Sequence, residues 1–404
     1  MKRRNFTKKL AKAGGLVAAS TILPYSCKQD NSPKARDKKN FPTKIDPPVK
    51  PKQEKKLPQN WLWIKGPHYE WSQEKWKQTL KWVKEIGFDA IIPEVYNSTF
   101  ALFEHPLVET KAHFLEELIP LAHNEGLEVH AWMWSMILNN KKLVKEHPDW
   151  FSVNRKGEYA HTHPAYVDYY KFMCPCHPEV RNFVKSNVEA LANVEGLDGI
   201  HLDYIRQPDV ILAEALQPNY NIKQDKEYPE YDYPYSPFCR EQFMGQTQID
   251  PMNFGDDAPF HQQWRQFRYD AVTQLVNDFC VPAAKAKNKA ITAAVFPNWE
   301  SVRQQWHNWD LDGFLMMLYN GFYNKPVRWI GGQTQKNKNL LKTKKPVYSG
   351  LFMDHVADEL KQAVDFAYEG GANGIALFSL NEITEKFRPF LKEVMNGHRE
   401  KISQ

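Results

Sequence analysis

Residues 197–208 read Leu-Asp-Gly-Ile-His-Leu-Asp-Tyr-Ile-Arg-Gln-Pro, a short apolar segment that carries several charged residues. Gly196, directly before it, is typical of a residue that ends a helix. Ile200 and Leu202 begin a short apolar run, which Pro208 closes. A short apolar run between such signals predicts a strand that is buried on both faces, as in a parallel sheet.

The charged residues of this strand point to chemistry. An unpaired carboxylate is costly to bury, so Asp203 either pairs with Arg206 or faces a polar cavity. Alternation places His201 and Asp203 on one face, near the carboxyl end of the strand. In an α/β barrel the chemistry sits at that end, and we therefore expect Asp203 to be catalytic. A purely structural ion pair between Asp203 and Arg206 is the alternative.

The chain on both sides repeats an alternation of helix, glycine and strand, at Gly87, Gly126 and Gly196. Glycine in these places suits the left-handed position that follows a helix. Eight strands are predicted, at 60–65, 89–95, 127–133, 198–204, 290–296, 313–319, 346–352 and 373–379. Amphipathic helices are predicted between and after them, at 72–86, 111–125, 178–195, 261–288, 300–309, 334–343, 355–369 and 384–396. Eight alternations predict an α/β fold, a single (β/α)8 TIM barrel over residues 59–404.

Two predicted loops are unusually long, and both follow strands. Residues 134–177 follow the third strand and residues 207–258 follow the fourth, and both are rich in aromatic residues. Long loops on a rigid scaffold commonly carry function. Clustered aromatic rings suit a sugar, whose C–H faces pack on them, so the expected partner is an oligosaccharide or polysaccharide.

Polar and aromatic side chains stand at the ends of seven of the predicted strands. A closed barrel brings these ends to one pocket. An isolated histidine such as His130 is also typical of a hydrogen-bonded core residue. The residues expected to bind substrate are Glu94, Tyr96, His130, Trp132, Trp134, His201, Tyr204, Arg206, Asn298, Trp299, Tyr319, Asn320, Asp354 and Glu382.

The residue types favour hydrolysis of a glycosidic bond. The sequence has no glycine-rich phosphate loop and no nucleophile elbow. Glycoside hydrolysis needs two carboxyl groups, one protonating the leaving oxygen and one acting as nucleophile or base. Asp203 beside Arg206 is expected to stay ionised and take the second role. Glu300, flanked by Trp299, is the first candidate for an acid in an apolar environment. The other candidate acids are Glu94, Asp354 and Glu382.

No cofactor and no metal are expected at this site. A metal-dependent hydrolase that uses His130, His201 and Asp203 is an alternative, but the first strand offers no His-x-His pair. The cysteines of the body lack zinc spacing and are interpreted as packing or loop residues; they are Cys174, Cys176, Cys239 and Cys280.

The first 58 residues have a different character from the rest. Residues 1–26 combine paired arginines with a short apolar run, the pattern of a twin-arginine export signal. Cys27 follows a relaxed lipoprotein box and is the expected lipidation site, although an ordinary signal peptide with an incidental Cys27 is the alternative. Residues 27–58 are basic and proline-rich, typical of an extended tether.

The net charge gives no argument for nucleic-acid binding. Residues 1–58 carry +12 while the whole chain carries +5, so residues 59–404 carry about −7. The basic balance therefore belongs to the amino-terminal segment and not to the barrel. The charge of the tether suits an anionic membrane surface or cell-wall polymer, or simply a solvated linker.

The sequence also resembles a known family. The strand-four motif at 199–208 is similar to that of the bacterial family-10-glycosylhydrolase-like proteins, a TIM-barrel group. Further matches are at 126–132, 178–181, 249–251, 305–306 and 316–320. The resemblance implies an exported or lipid-anchored glycoside hydrolase with Asp203 as catalytic carboxylate. It leaves the proton donor open, because this chain has Ala293 and Ala294 where relatives often carry an acid.

These observations predict a glycoside hydrolase in the periplasm or on the outer membrane of a Gram-negative bacterium, anchored through Cys27. A carbohydrate-binding lipoprotein that keeps the barrel without turnover is the alternative. The two differ in whether replacing Asp203 changes cleavage or only affinity.

Overall fold

The computed structural model describes residues 56–66 and 68–403. Within them eight parallel strands pair in chain order and close into a barrel, so the predicted fold is confirmed. The predicted export signal, Cys27 and the tether up to residue 55 lie outside the described residues. The strands are β1 Asn60–Ile64, β2 Ala90–Tyr96, β3 Glu128–Trp134, β4 Gly199–Asp203, β5 Ala290–Val295, β6 Gly313–Met317, β7 Val347–Phe352 and β8 Gly374–Phe378.

Helices surround the barrel. Among the described residues none of them is long and apolar enough to cross a bilayer. Gly87 has φ of 114° after α1, the left-handed conformation expected of a glycine that ends a helix. The helices are α1 Gln73–Ile86, α2 Phe114–Asn124, α3 Lys141–Glu146, α4 Pro178–Ala192, α5 Pro237–Thr247, α6 Gln262–Gln274, α7 Val281–Lys285, α8 Arg328–Lys338, α9 Met353–Val356, α10 Leu360–Glu369 and α11 Arg388–Ser403.

Three helix predictions need correction. The predicted helix 300–309 is absent; two short 3₁₀ turns, Trp299–Val302 and Trp306–Asn308, replace it. Arg303 lies between them with φ of 55°, a left-handed conformation that interrupts a helix. The predicted helix 334–343 begins earlier, as α8. The predicted helix 261–288 contains a π-helical turn between α6 and α7, at Leu275–Cys280.

The amino-terminal edge of the barrel also begins earlier than the predicted boundary at residue 59. Leu57 packs against the cluster inside the barrel, which includes Trp61 and Tyr348. An alanine at Gly313 would bring its Cβ to 2.8 Å from the Leu57 side chain, which shows how closely the segment packs. The last residues of the predicted tether are therefore part of the barrel.

The barrel interior is aromatic and partly polar. Trp61, Trp63 and Trp132 lie in the inner cluster with Leu315 and Tyr348. A larger apolar cluster joins the outer faces of the strands to the helices. Because alternate residues of a strand point to opposite faces, Trp132 and Trp134 of β3 and His201 and Asp203 of β4 follow one another along the inner side towards the mouth.

A buried ion network joins the two long loops. In the structure these loops span residues 135–177 and 204–261. Asp232 of the second loop is 0% exposed and accepts hydrogen bonds from Arg268 of α6 and, at 2.9 Å, from Arg303. Arg155 of the first loop lies 3.4 Å from it. Burial alone would raise the pKa of Asp232, but Arg268 and Arg303 outweigh it and lower the pKa. The network therefore holds both loops against the barrel.

We predict that Asp232→Asn lowers the free energy of unfolding by about 3–5 kcal/mol, because it leaves the buried Arg268 guanidinium without its counter-ion and leaves Arg303 paired with Glu227 alone. Urea unfolding at neutral pH measures the change. Asp354→Asn, at an exposed position, serves as the control and changes stability by less than about 0.5 kcal/mol. Equal midpoints for the two variants would show that the network contributes nothing.

Candidate active site

Asp203 is the last residue of β4 and is held from two sides. The Trp132 indole N–H donates to its Oδ2 at 3.0 Å, and the Tyr204 backbone N–H donates to its Oδ1 at 2.7 Å. Tyr204 has φ of 49°, a left-handed conformation that is uncommon for a large side chain and turns the chain away from the strand. Burial raises the pKa of the Asp203 carboxyl to about 6, although both donors and the charge of Arg206 oppose the rise.

Glu94 is the second carboxyl group at the mouth. It lies on β2, where it is the register partner of Trp132, and the pairing of β2 with β3 shifts register directly after it. Irregularities of this kind redirect side chains and are common near active sites. Burial first, and then the charge of Asp203, raises the pKa of Glu94 to about 7 against the opposing effects of Lys65 and the Gly66 backbone N–H.

These two acids therefore differ from ordinary surface carboxylates. Trp132 links them, because it pairs with Glu94 in the sheet and donates its indole N–H to Asp203. Because the pKa of Glu94 is higher than that of Asp203, Glu94 is the more readily protonated of the two near neutral pH. One neutral and one ionised carboxyl group is the combination that acid-assisted bond cleavage needs.

A cleft of about 580 Å³ opens beside Glu94. Trp134 lines it and contacts two further rings, Tyr204 at 4.8 Å and Tyr169 at 5.7 Å between centroids. Tyr69 and Phe100 also line the cleft. Asp203 is not among the lining residues, but it is the register partner of Trp134, which is one of them. The cleft thus offers aromatic surface next to a carboxyl pair.

Five of the residues expected to bind substrate are buried inside the protein instead. His130 and His201 are 0% exposed, and Trp132 is 4% exposed with its indole N–H donating to Asp203. A side chain sealed in this way cannot contact a sugar, so these expectations are corrected. The other two are Arg206 and Asn320, at 3% and 5% exposure. Tyr96 differs from these five, because it is among the residues that line the cleft, although it is 1% exposed and its ring stacks on His105.

His201 has a structural role in the barrel interior. Its Nε2 accepts a hydrogen bond from the Trp63 indole at 3.2 Å, and its Nδ1 lies 2.9 Å from the Thr292 hydroxyl. An indole is only a donor, so Nδ1 carries the proton and donates to Thr292. Burial, together with the charge of His130, lowers the pKa of His201 to about 3. The neutral ring therefore braces β1, β4 and β5.

The expected pairing of Asp203 with Arg206 is wrong. Arg206 donates to Asp209 Oδ2 at 3.0 Å and to the Gln207 backbone carbonyl at 2.9 Å. Its guanidinium lies 4.7 Å from the centroid of the Phe296 ring. Because the chain turns at Tyr204, the alternation of β4 stops before Arg206. Asp203 is consequently less readily ionised than the sequence suggested.

The expected environment of Glu300 is also wrong. Glu300 lies in the exposed 3₁₀ turn after β5 and is not buried among aromatic rings. Its neighbour Trp299 packs instead on Tyr269 and His307, with centroid distances of 5.1 and 5.0 Å. The apolar setting expected for an acid is found at Glu94.

Four more of the expected binding residues lie outside the cleft beside Glu94, namely Asn298, Trp299, Asp354 and Glu382. Asn298 and Asp354 are exposed, and Asn298 accepts a hydrogen bond from the Tyr323 hydroxyl at 2.9 Å. The Glu382 carboxylate accepts from the Ser379 backbone N–H and hydroxyl, at 2.9 and 2.6 Å, which closes a capping box. Burial and the charge of Asp203 raise the pKa of Tyr319, which places it near the acid pair.

Several residues of the cleft were not predicted individually from the sequence. Two come directly after β1 and others from the aromatic-rich part of the first long loop, whose composition did signal a binding surface. The two residues after β1 could have been predicted, because polar residues directly after a barrel strand indicate a position at the mouth. The residues missed are Lys65, Gly66, Tyr69, Asn97, Thr99, Phe100, Asn139, Asp168, Tyr169 and Lys171.

Solved structures with the same fold include carbohydrate-active enzymes. The PgaB (BpsB) glycoside hydrolase domain from Bordetella bronchiseptica matches 83% of this chain and 98% of its own, with a TM-score of 0.65 and 12% identity. The catalytic domain of a β-amylase from Paenibacillus polymyxa matches 84% of this chain and 98% of its own, with a TM-score of 0.61 and 9% identity. A β-galactosidase from Marinomonas ef1 has a TM-score of 0.59 and 10% identity over 85% of this chain and 60% of its own. At these identities the likeness establishes the fold.

Comparison with curated proteins gives no match. A family profile is more informative, because it spans most of the barrel. The profile described as glycosyl hydrolase-like 10 matches residues 59–368, from β1 to the end of the helix before β8. The chain therefore belongs to the glycosyl hydrolase-like 10 family.

Proposed function

We propose that this protein hydrolyses glycosidic bonds in a polysaccharide, with Glu94 as general acid and Asp203 as the ionised partner. The observation that carries the proposal is the pair of half-buried carboxyl groups, linked through Trp132, beside an aromatic cleft. Membership of a glycosyl hydrolase-like family and the shared fold of glycosidases support it.

The proposed roles follow from the two environments. Glu94 gives its proton to the leaving glycosidic oxygen, which suits the group with the higher pKa. Asp203 acts on the anomeric carbon, directly as nucleophile or through an activated water. Trp132 and the Tyr204 backbone N–H fix the Asp203 carboxylate and stabilise its negative charge. Trp134 provides the flat surface on which a sugar ring packs.

The surroundings of the cleft favour a polymer over a small sugar. A second depression of about 490 Å³ adjoins the first and shares Asn139 and Lys171 with it. Lys141, Lys145 and His161 also line this depression. Two connected depressions can hold successive sugar units, and their lysines suit acidic substituents. Acidic glycans therefore belong in a first substrate screen beside denuded cell-wall glycan, α-glucan and host-type glycans.

We predict a narrow bell-shaped pH profile for kcat/KM on the substrate that the screen identifies, with its maximum between about pH 6 and 7. The rate rises with pH as Asp203 ionises, with a pKa of about 6, and falls as Glu94 loses its proton, with a pKa of about 7. Because the groups interact, the limbs report apparent constants of the pair. A rate that keeps rising above pH 8 would contradict these roles.

Substitution separates the acid from its alternatives. We predict that Glu94→Gln and Asp203→Asn each lower kcat by about 10²–10⁴-fold. Glu94→Gln loses much less on aryl glycosides, whose leaving groups need little protonation. Glu300→Gln, an equally conservative change at an exposed site, keeps wild-type turnover. Loss of activity in Glu300→Gln with retention in Glu94→Gln would reverse the assignment. Binding that survives in a protein without any turnover would favour the non-catalytic alternative.

We also propose export and anchoring of the chain through Cys27. Support comes from the sequence alone, namely the paired arginines before a short apolar run and the lipoprotein-like box. In a Gram-negative host, the wild-type protein should incorporate labelled fatty acid and fractionate with the envelope. Cys27→Ser should lose the label, whereas Cys280→Ser, at a buried cysteine of the barrel, should keep it. Unlabelled wild-type protein in the cytoplasm would contradict the proposal.

A further inference from the structure

Three buried thiols meet outside the candidate active site. The sulfur atoms of Cys174, Cys176 and Cys239 all lie within 4.8 Å of one another, and those of Cys174 and Cys239 are 3.5 Å apart. All three are free cysteines. Sulfur ligands at about 2.3 Å from a tetrahedral metal ion are about 3.8 Å apart. The distances between the three sulfur atoms therefore fit ligands of one shared metal ion.

The three thiols come from both long loops. Cys174 and Cys176 lie at the end of the first loop, just before α4, and Cys239 lies in the first turn of α5 within the second loop. The sequence separation between Cys176 and Cys239 explains why spacing alone gave no metal signal. The fold brings together residues that no short motif connects.

A buried hydroxyl beside the thiols lacks a partner. Ser236 is 0% exposed and precedes α5, but its side chain does not cap the helix and makes no hydrogen bond of good geometry. Serine in this position ordinarily accepts a hydrogen bond from the first helical turn. Ser236 lies three residues before Cys239, at the start of the same helix. Buried polar groups without partners are rare, and this one is placed to act as an oxygen ligand.

Arg181 supplies positive charge beside the thiols. Arg181 donates to the Pro175 backbone carbonyl at 2.6 Å, and its positive charge acts on Cys176. Three thiolates around a divalent ion carry one net negative charge, which Arg181 offsets.

We propose that Cys174, Cys176 and Cys239 bind one Zn²⁺ ion, with the Ser236 hydroxyl in the fourth position. The surroundings exclude water, because Tyr235, Phe243 and Trp264 pack around the thiols. A closed site of this kind is structural, and thiolate ligands select soft or borderline ions such as zinc. The ion would fasten the end of the first long loop to α5.

Metal analysis of the full chain, purified under reducing conditions, tests the proposal. We expect about one zinc per chain by elemental mass spectrometry, and a Tm about 5 °C higher than that of the metal-depleted protein. Cys239→Ala should lose the zinc and the Tm difference. Cys280→Ala, which removes another buried free cysteine outside the cluster, should keep both.

A second measurement needs no variant and so does not depend on folding of Cys239→Ala. Metal-depleted wild-type protein titrated with Co²⁺ should show thiolate charge-transfer absorption that saturates at one equivalent and disappears when Zn²⁺ is added. Protein that binds no zinc and gives no such absorption would overturn the proposal. A disulfide between Cys174 and Cys239, seen as a protein mass lower by two hydrogen atoms in the absence of reductant, would also overturn it. Zinc binding by Cys239→Ala equal to that of the wild-type protein would do the same.

Discussion

The hydrogen bond from the Trp132 indole to Asp203 is the contact on which the site depends. It crosses from β3 to β4 at the mouth of the barrel and satisfies a carboxylate that burial would otherwise penalise heavily. The same tryptophan is the register partner of Glu94 on β2. Trp132 thus relates residues of three neighbouring strands, β2, β3 and β4, and the pairing of these strands in the barrel keeps them in register.

Holding two acids in this way opposes folding. Both carboxyl groups have a raised pKa, so both are less stable as anions in the folded chain than in water. The loss of stability grows as the pH rises through the range between their unfolded and folded pKa values. Apolar packing around the barrel and the Asp232 network, which fastens the long loops, offset it. The left-handed backbone conformation of Tyr204, beside Asp203, lowers the stability of the folded chain further.

The barrel could be predicted from the sequence because its signals are local. Glycines after helices, such as Gly87, Gly126 and Gly196, and apolar strands at regular intervals are set by backbone conformation and burial. Asp203 stood out as an acid in a buried strand. The identity of the second acid could not be predicted in this way. The environment of Glu94 depends on residues from another strand end, Lys65 and Gly66, which line the same cleft. The exposure of Glu300 depends on turns around Arg303. The misassigned Arg206 pairing has a similar cause, since strand alternation cannot reveal the turn at Tyr204.

Titration of the side-chain carboxyl carbons by ¹³C NMR tests most directly whether the mouth holds two acids with raised pKa values. Wild-type protein should show one glutamate resonance that titrates near pH 7 and one aspartate resonance near pH 6. The glutamate resonance should be missing from Glu94→Gln, and the aspartate resonance from Asp203→Asn. If every carboxyl group titrates near pH 4, as about 3.9 and 4.3 are usual for exposed aspartate and glutamate, the account of this site is wrong.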